Sequence, residues 1–133
     1  MIPLHVLVVD DDEPSLVLAA RVLAHAGYRV TGRPWPDLAP GELAALAPDA
    51  VLLDLRFGGR PLGLGFLDEV QADPTTAAIP VLVCSADVWG VRAAGERLAA
   101  AAGVLLKPYR AADLLAAVGR CLAGADPRSR SVA

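Results

Sequence analysis

Polar residues that could share one chemical site follow four separate apolar runs of this sequence. They are Asp10 and Asp11, Asp54, Ser85, and Lys107. Three carboxylates in one site repel one another, because two unit charges about 4 Å apart cost roughly 4 kcal/mol at an effective dielectric constant near 20. A divalent cation offsets that cost, and Mg²⁺ favours one or two carboxylates together with water and a phosphate. The residue types therefore predict a magnesium site that works on a phosphorylated substrate.

Asp54 is the candidate nucleophile of this site, since a carboxylate can accept a phosphoryl group covalently. Ser85 and Lys107 could donate hydrogen bonds to the transferred oxygens. Lys107 is the one lysine among 12 lysine and arginine residues, and a compact ammonium on a flexible stem suits a small anionic site. A single aspartate at a strand end more often caps a helix, the role we assign to Asp12 and Glu13. The chemical interpretation therefore rests on the presence of suitable polar residues at four strand ends together, not on any one of them.

The elements that must position these residues alternate along the chain. Strands are predicted near residues 4–9, 29–32, 50–53, 81–84 and 104–106, and those at 4–9 and 50–53 are expected to be buried on both faces. Helical patterns are predicted from Pro14 to a stop at Gly27, at 42–47, from Phe66 onward, at 91–102 with a stop at Gly103, and around 114–122. The glycine-rich stretch 56–65 is expected to be a loop. Strict alternation predicts an α/β doubly wound parallel sheet with right-handed crossovers, whose site lies at the carboxyl ends of the strands.

Length and composition restrict the class of protein. The 133 residues amount to one ordinary domain, which we place at residues 1–124 with a short flexible tail at 125–133. A hydrophobic share of 55% excludes disorder, and no apolar run is long enough to span a membrane. The net charge of −3 offers no basic surface for nucleic acid. We expect a cytoplasmic protein that contacts neither membrane nor nucleic acid directly.

The remaining reactive or aromatic residues carry weaker signals. Cys84 and Cys121 fit free thiols better than a disulfide or a zinc site. His5 and His25 lack metal-ligand spacing and are expected at the surface. Trp35, between two prolines, and Trp89 either contact a partner or simply pack.

At these residues the sequence resembles the receiver domains of two-component response regulators, over nearly its whole length. The matching segments are VLVVDDDEP (6–14), DAVLLDLR (49–56), IPVLVCSA (79–86) and GVLLKPY (103–109). The resemblance implies a flavodoxin-like sheet in strand order 2-1-3-4-5 with helices on both faces. It also implies a regulatory phosphoacceptor rather than an enzyme acting on other substrates.

The resemblance also implies roles for individual residues. Asp54 would take its phosphoryl group from a phosphohistidine on a sensor histidine kinase or a histidine phosphotransfer protein. Asp11, Asp54 and the backbone carbonyl of Arg56 would bind Mg²⁺ directly, and Asp10 would bind it through water. Ser85 and Lys107 would hold the phosphoryl group, and the peptide between Lys107 and Pro108 would be cis.

Three features depart from the family pattern. Val104 stands where the family usually has a switching Tyr or Phe, so output must depend on the Ser85–Ala86 loop or on another route. The loop after Asp54 is about three residues longer than the common pattern, near 60–62, and could alter access to the site. No output domain follows the last helix, so we expect a stand-alone module that docks to a downstream protein. Homodimer formation is left open.

Arg56 and Asp87 occupy two positions that vary in the family and tune the lifetime of its phosphoryl group. We hypothesise that they pair across the mouth of the site and restrict the attacking water. The alternative is two independent solvated charges.

Other functions compete with this interpretation. An aspartate-based phosphatase would need a second acid at position 56, where the chain has arginine. A nucleotide-binding fold would need a G-x-G-x-x-G turn after the first strand, where the chain is acidic. A receiver-like domain that no longer switches and serves as a scaffold or dimerisation unit stays open because of Val104 and the long loop.

Overall fold

The computed structural model describes residues 2–123, except for the side chain of Ala100. Its five strands form one parallel sheet in the order β2-β1-β3-β4-β5. They are β1 His5–Val9, β2 Arg29–Arg33, β3 Ala50–Asp54, β4 Val81–Ser85 and β5 Gly103–Leu106. The predicted α/β doubly wound sheet and its strand order are confirmed. The boundary at residue 124 and the tail at 125–133 lie outside the described residues.

Helices cover both faces of the sheet. They are α1 Glu13–His25, α2 Pro40–Leu46, α3 Leu62–Ala72, α4 Val88–Ala94 and α5 Ala111–Ala123, with a 3₁₀ helix at Gly95–Ala100 after α4. Within residues 2–123, none of these helices combines the length and apolarity that crossing a membrane requires.

Alternate residues of the strands divide the core into two layers. Val6 and Val8 of β1 pack with α1 and α5 on one face. Leu7 and Val9 pack with α2, α3 and the end of α4 on the other face. All five residues of β1 are buried, as expected for the centre of a parallel sheet covered on both sides.

Helix α1 begins and ends at the predicted signals. Asp12 is its N-cap, and the carboxylate accepts a hydrogen bond from the Ser15 N–H at 3.1 Å. Gly27 follows the helix with a φ of +100°, a conformation that glycine adopts without a steric penalty. The capping role predicted for Asp12 is confirmed.

Helix α3 begins earlier than predicted, at Leu62 rather than near Phe66. Gly63 explains the difference. Its N–H donates to the Leu55 carbonyl at 2.9 Å, and a Cβ there would lie 2.2 Å from the Asp54 carbonyl oxygen. Gly63 is therefore needed for the close approach of α3 to the end of β3, although the composition of the segment had suggested loop as far as Gly65.

Helix α4 is also displaced from its prediction of 91–102. It covers Val88–Ala94 and stops at Gly95, whose φ is +51°. The alanine-rich residues that follow form the 3₁₀ helix. Helix propensity in this segment is overridden by one glycine in a conformation that other residues rarely adopt.

Candidate functional site: an acidic pocket at the carboxyl ends of the strands

The carboxyl ends of β1, β3 and β5 bring three carboxylates and one amine together. Carboxylate oxygens of Asp10, Asp11 and Asp54 lie within 4.8 Å of one another. The Lys107 Nζ lies 2.6 Å from Asp10 Oδ2 and 3.1 Å from Asp54 Oδ2. The convergence expected from the strand ends is observed for these four residues, because parallel strands in register end at the same edge of the sheet.

Burial and charge act in opposite directions on this cluster. Burial raises the pKa of Asp10 above its usual range, and the hydrogen bond from Lys107 opposes that change only in part. Burial alone would lower the pKa of Lys107, but its hydrogen bond with Asp10 and the charges of Asp10 and Asp54 raise that pKa overall. Lys107 is therefore a permanent cation that neutralises part of the acidic pocket.

The oxygen donor set suits a hard divalent cation. Mg²⁺ binds through oxygen and tolerates few protein ligands, and the three neighbouring carboxylates match that preference. Lys107 leaves the cluster with net negative charge, so a cation is still favoured there. The Arg56 N–H lies 3.3 Å from Asp54 Oδ1, which places the Arg56 backbone beside the cluster; its carbonyl as a metal ligand stays a prediction.

Ser85 ends β4 next to Lys107 in the sheet, since the Lys107 N–H donates to the Ser85 carbonyl at 2.9 Å. The Ser85 side chain is buried, and its hydroxyl oxygen accepts the Asp87 N–H at 3.0 Å. The hydroxyl is thus held by the loop that leads into α4. A movement of this hydroxyl towards a new acceptor would release that loop contact.

Arg56 and Asp87 pair across the mouth of the pocket, with Nη1 and Oδ2 3.2 Å apart. Arg56 also donates from Nη2 to the Gly59 carbonyl. Asp87 caps α4 by accepting the Gly90 N–H at 2.9 Å. The predicted ion pair is present, and it joins the loop after β3 to the start of α4; its effect on the lifetime of a phosphoryl group stays a prediction.

The loop after β3 contains a short hairpin, residues 57–60, which we call the glycine hairpin. Phe57 and Arg60 exchange two backbone hydrogen bonds of 2.8 and 3.0 Å. Gly58 and Gly59 between them have φ values of +57° and +76°, as in the two-residue turns that need glycine. The Gly58 N–H donates to Asp11 Oδ2 at 2.9 Å. Sequence reasoning missed this contact, although two adjacent glycines signalled the turn.

The cis peptide and the free cysteines are two further expectations that the structure meets. The peptide between Lys107 and Pro108 is cis, as predicted. Cys84 and Cys121 are free thiols, and burial raises the pKa of Cys84 to about 12. The Cys84 thiol is thus protonated and inert at neutral pH.

His5 corrects a prediction. It is buried at the start of β1, not at the surface, and its Nε2 lies 2.7 Å from Thr31 Oγ1. Its backbone N–H donates to Asp49 at 2.7 Å. The position precedes an unbroken apolar run and belongs to β1, an interior strand that lies between β2 and β3, which is why a polar residue is covered there. His25 is exposed, as predicted.

Several exposed apolar side chains lie around β5 and α4. Val104, at the position of the usual aromatic switch residue, is 41% exposed, and Trp89 is 76% exposed with Arg92 stacked 5.8 Å from its ring centre. Val88 and Leu106 are exposed as well. Trp35 is half-covered, with its ring edge-on to Phe57 at a centre-to-centre distance of 5.6 Å.

Comparisons with known proteins agree with this geometry. A curated relative, the protein-glutamate methylesterase/protein-glutamine glutaminase 1 of Anaeromyxobacter dehalogenans (strain 2CP-C), is 38% identical over 81 residues, 60% of this chain. The chain spans about a fifth of that relative's length, 22%.

Solved structures share the whole fold. A putative response regulator from Chloroflexus aurantiacus J-10-fl is 28% identical, with a TM-score of 0.80 over 91% of this chain and 98% of its own. The receiver domain of NtrX from Brucella abortus is 28% identical, with a TM-score of 0.77 over 89% of this chain and 98% of its own.

A family model extends across most of the chain. The model described as response regulator receiver domain matches residues 6–119, a range that contains the carboxylates, Ser85 and Lys107. Receiver domains are regulatory units of two-component systems, and they typically bind Mg²⁺ at an acidic pocket such as the one described above. The chain belongs to the response regulator receiver domain family.

Proposed function

We propose that the chain is a phosphorylation-controlled signalling module. Asp54 accepts a phosphoryl group from a phosphohistidine on a sensor histidine kinase or a histidine phosphotransfer protein, in a reaction that depends on Mg²⁺. The observation that carries the proposal is the position of Lys107 Nζ, within 3.1 Å of both Asp10 and Asp54, beside three carboxylates that lie within 4.8 Å of one another.

The transfer step uses the residues of the pocket as follows. A lone pair on an Asp54 carboxylate oxygen forms the new O–P bond. The P–N bond to the donor imidazole breaks, and its electron pair returns to the ring nitrogen. Because the transition state carries charge on the phosphoryl oxygens, alignment and neutralisation supply most of the catalysis.

Asp11, Asp54 and the Arg56 carbonyl would hold Mg²⁺ directly, with Asp10 acting through water. The ion, when bound, would neutralise charge on the phosphoryl oxygens. Lys107 already forms an ion pair with Asp54. Once Asp54 carries the phosphoryl group, the ammonium would pair with the phosphoryl oxygens. Ser85 would donate its hydroxyl hydrogen to a phosphoryl oxygen, and a shift of the hydroxyl towards that oxygen would lengthen its contact with the Asp87 N–H.

The output would be docking to a downstream protein. The exposed side chains of Val88, Trp89, Val104 and Leu106 give the α4–β5 side an apolar surface, and exposed apolar surface favours contact with partners. Ser85 connects the pocket to this side through its hydrogen bond with Asp87, the N-cap of α4. This route does not need an aromatic residue at position 104.

A second function is favoured by Val104 itself. Without an aromatic ring to turn inward, the domain could bind a partner or a second copy in the same way with and without phosphate. That scaffold would keep the acidic pocket but would show no change in binding on phosphorylation.

The test is modification by a small phosphodonor such as phosphoramidate, followed by intact mass. The wild-type chain should gain one phosphoryl group in Mg²⁺ and none with EDTA, and Asp54→Asn should gain none. Asp68→Asn is the matched control, because Asp68 pairs with Arg97 at the surface, and should react normally. Modification of Asp54→Asn, or of wild type without metal, would contradict the proposal.

A further inference from the structure

We propose that Trp35, on the loop between β2 and α2, is a positioning residue for the magnesium site. It holds the glycine hairpin in the place from which the Gly58 N–H fixes the Asp11 carboxylate. This inference rests on the proposed function, because it assumes that Asp11 is a metal ligand.

The first step concerns Asp11. Its side chain is exposed, unlike that of Asp10, so the fold alone leaves it rotational freedom. Fixing a free side chain on binding costs conformational entropy and weakens affinity. The Gly58 N–H, 2.9 Å from Asp11 Oδ2, restricts that freedom with a charge-assisted hydrogen bond. The carboxylate is therefore oriented before any cation arrives.

The second step concerns the hairpin that carries this donor. Gly58 and Gly59 are both exposed, and a turn of two glycines is intrinsically mobile. Its stem is short, since Phe57 and Arg60 form an isolated two-residue bridge. Besides the hydrogen bond from Arg56 to the Gly59 carbonyl, the position of the Gly58 N–H therefore depends on contacts that the hairpin makes with other segments.

The third step concerns those contacts. Phe57 is fully buried and anchors one side of the hairpin in the core. Trp35 packs edge-on against Phe57, a geometry worth about 0.5–1.5 kcal/mol beyond the buried area. A Cβ placed on Gly58 would lie 3.4 Å from Cη2 of Trp35, so the indole lies against one side of the residue that donates to Asp11. Trp35 thus forms the outer wall of the hairpin.

The chain of contacts predicts that removal of the indole weakens Mg²⁺ binding from a distance. Trp35→Ala should let the glycine hairpin move and the Asp11 carboxylate rotate. Loss of a residue that orients a metal ligand costs about 10–100-fold in affinity. Trp35 acts through Gly58 rather than on Asp11 itself, so we expect a weakening of about threefold to tenfold.

The experiment measures Mg²⁺ affinity by calorimetry on the unphosphorylated chain. Trp35→Ala should bind Mg²⁺ more weakly, and Trp35→Phe should recover most of the affinity, because a phenyl ring keeps the contact with Phe57. Trp89→Ala is the matched control, since Trp89 is the other exposed tryptophan and lies on α4. It should bind Mg²⁺ like wild type.

A second measurement, made without metal, tests whether Trp35 restricts the motion of the glycine hairpin. Amide hydrogen exchange at Gly58 should be faster in Trp35→Ala and unchanged in Trp89→Ala. If Gly58 exchange is unaltered, or if it accelerates while Mg²⁺ affinity stays at the wild-type value, the inference is wrong and the proposed function survives. If the wild-type chain does not bind Mg²⁺, the proposed function fails, and the inference fails with it.

Discussion

The acidic pocket and the α4–β5 side of the molecule are built in opposite ways. In the pocket, three carboxylates, one amine and a cis-proline peptide are held on the central strands and on the turn after β5, with Asp10 buried and Lys107 paired twice. On the α4–β5 side, a short helix ends at Gly95 and leaves Val104, Leu106 and Trp89 exposed. The chemistry is held by buried, paired side chains, whereas the surface beside it is lightly packed and exposed.

Lys107→Met should have the largest effect, because it removes the only amine from the rigid pocket. Buried Asp10 would lose its charged partner and keep only the hydrogen bond from the Asp12 N–H, and breaking a buried ion pair costs about 3 kcal/mol or more. Urea unfolding in EDTA at pH 7 measures the loss. Since the pKa of Asp10 is already raised by burial, protonation at lower pH removes the unpaired charge, so the loss should shrink as pH falls.

The control for that variant is Arg110→Met, which removes an exposed cation three residues further on. It should leave the free energy of unfolding within about 0.5 kcal/mol of wild type. If both variants lose the same free energy of unfolding, the ion pairs of the pocket do not stabilise the fold more than an exposed cation does, and the comparison fails.

Val83 and Val104 offer a sharper comparison, because they are register partners on β4 and β5. Val83 is fully buried and Val104 is 41% exposed. Val83→Ala should lower the free energy of unfolding by about 2 kcal/mol through cavity formation, and Val104→Ala by less than about 0.5 kcal/mol. Similar losses in urea unfolding would contradict the view that the β5 edge is lightly packed.

Arg56→Ala tests the ion pair with Asp87 that joins the loop after β3 to the start of α4. Loss of the ion pair with Asp87 should shorten the lifetime of the phosphoryl group, because water reaches the pocket more easily. An exposed pair contributes at most about 1 kcal/mol, so the decay measured by intact mass should accelerate by no more than about fivefold. Arg97→Ala breaks a different surface pair, with Asp68, and should not change the decay; an unchanged lifetime in Arg56→Ala would refute the idea.

The smallest effect is expected from His5, at the opposite end of the sheet from the pocket. Burial, and then the charge of Arg29, lower the pKa of His5. The unfolded chain therefore binds a proton more readily than the folded one, and stability falls as pH drops below about 6.5. His5→Gln should flatten this part of the pH–stability curve in urea unfolding. The exposed His25→Gln should leave it as in wild type.

Much of the fold followed from local patterns in the sequence. Continuous apolar runs such as 6–9 predicted strands buried on both faces, and the polar residues that end them predicted which side chains would meet. Parallel strands gather their carboxyl ends at one edge, so Asp10, Asp54 and Lys107 could be brought together without knowledge of any contact.

The misplaced features depend on contacts between separate segments or on the backbone angle of a single glycine. The start of α3 depends on Gly63 touching the end of β3, and the end of α4 depends on a positive φ at Gly95. The burial of His5 depends on its neighbours in the sheet. Likewise, the contact of Gly58 with Asp11 joins residues 47 apart in sequence, which no local pattern encodes.

The contact between Gly63 and Leu55 has a consequence for how this protein can diversify. The chain leaves the end of β3 at Leu55 and comes back to it at Gly63, whose N–H donates to the Leu55 carbonyl. Insertions or deletions in the intervening excursion leave its two ends in the same place. Related sequences can therefore replace this segment as a unit and change which donors and water molecules approach Asp54. The backbone that positions the Asp54 carboxylate is unaffected by such a replacement.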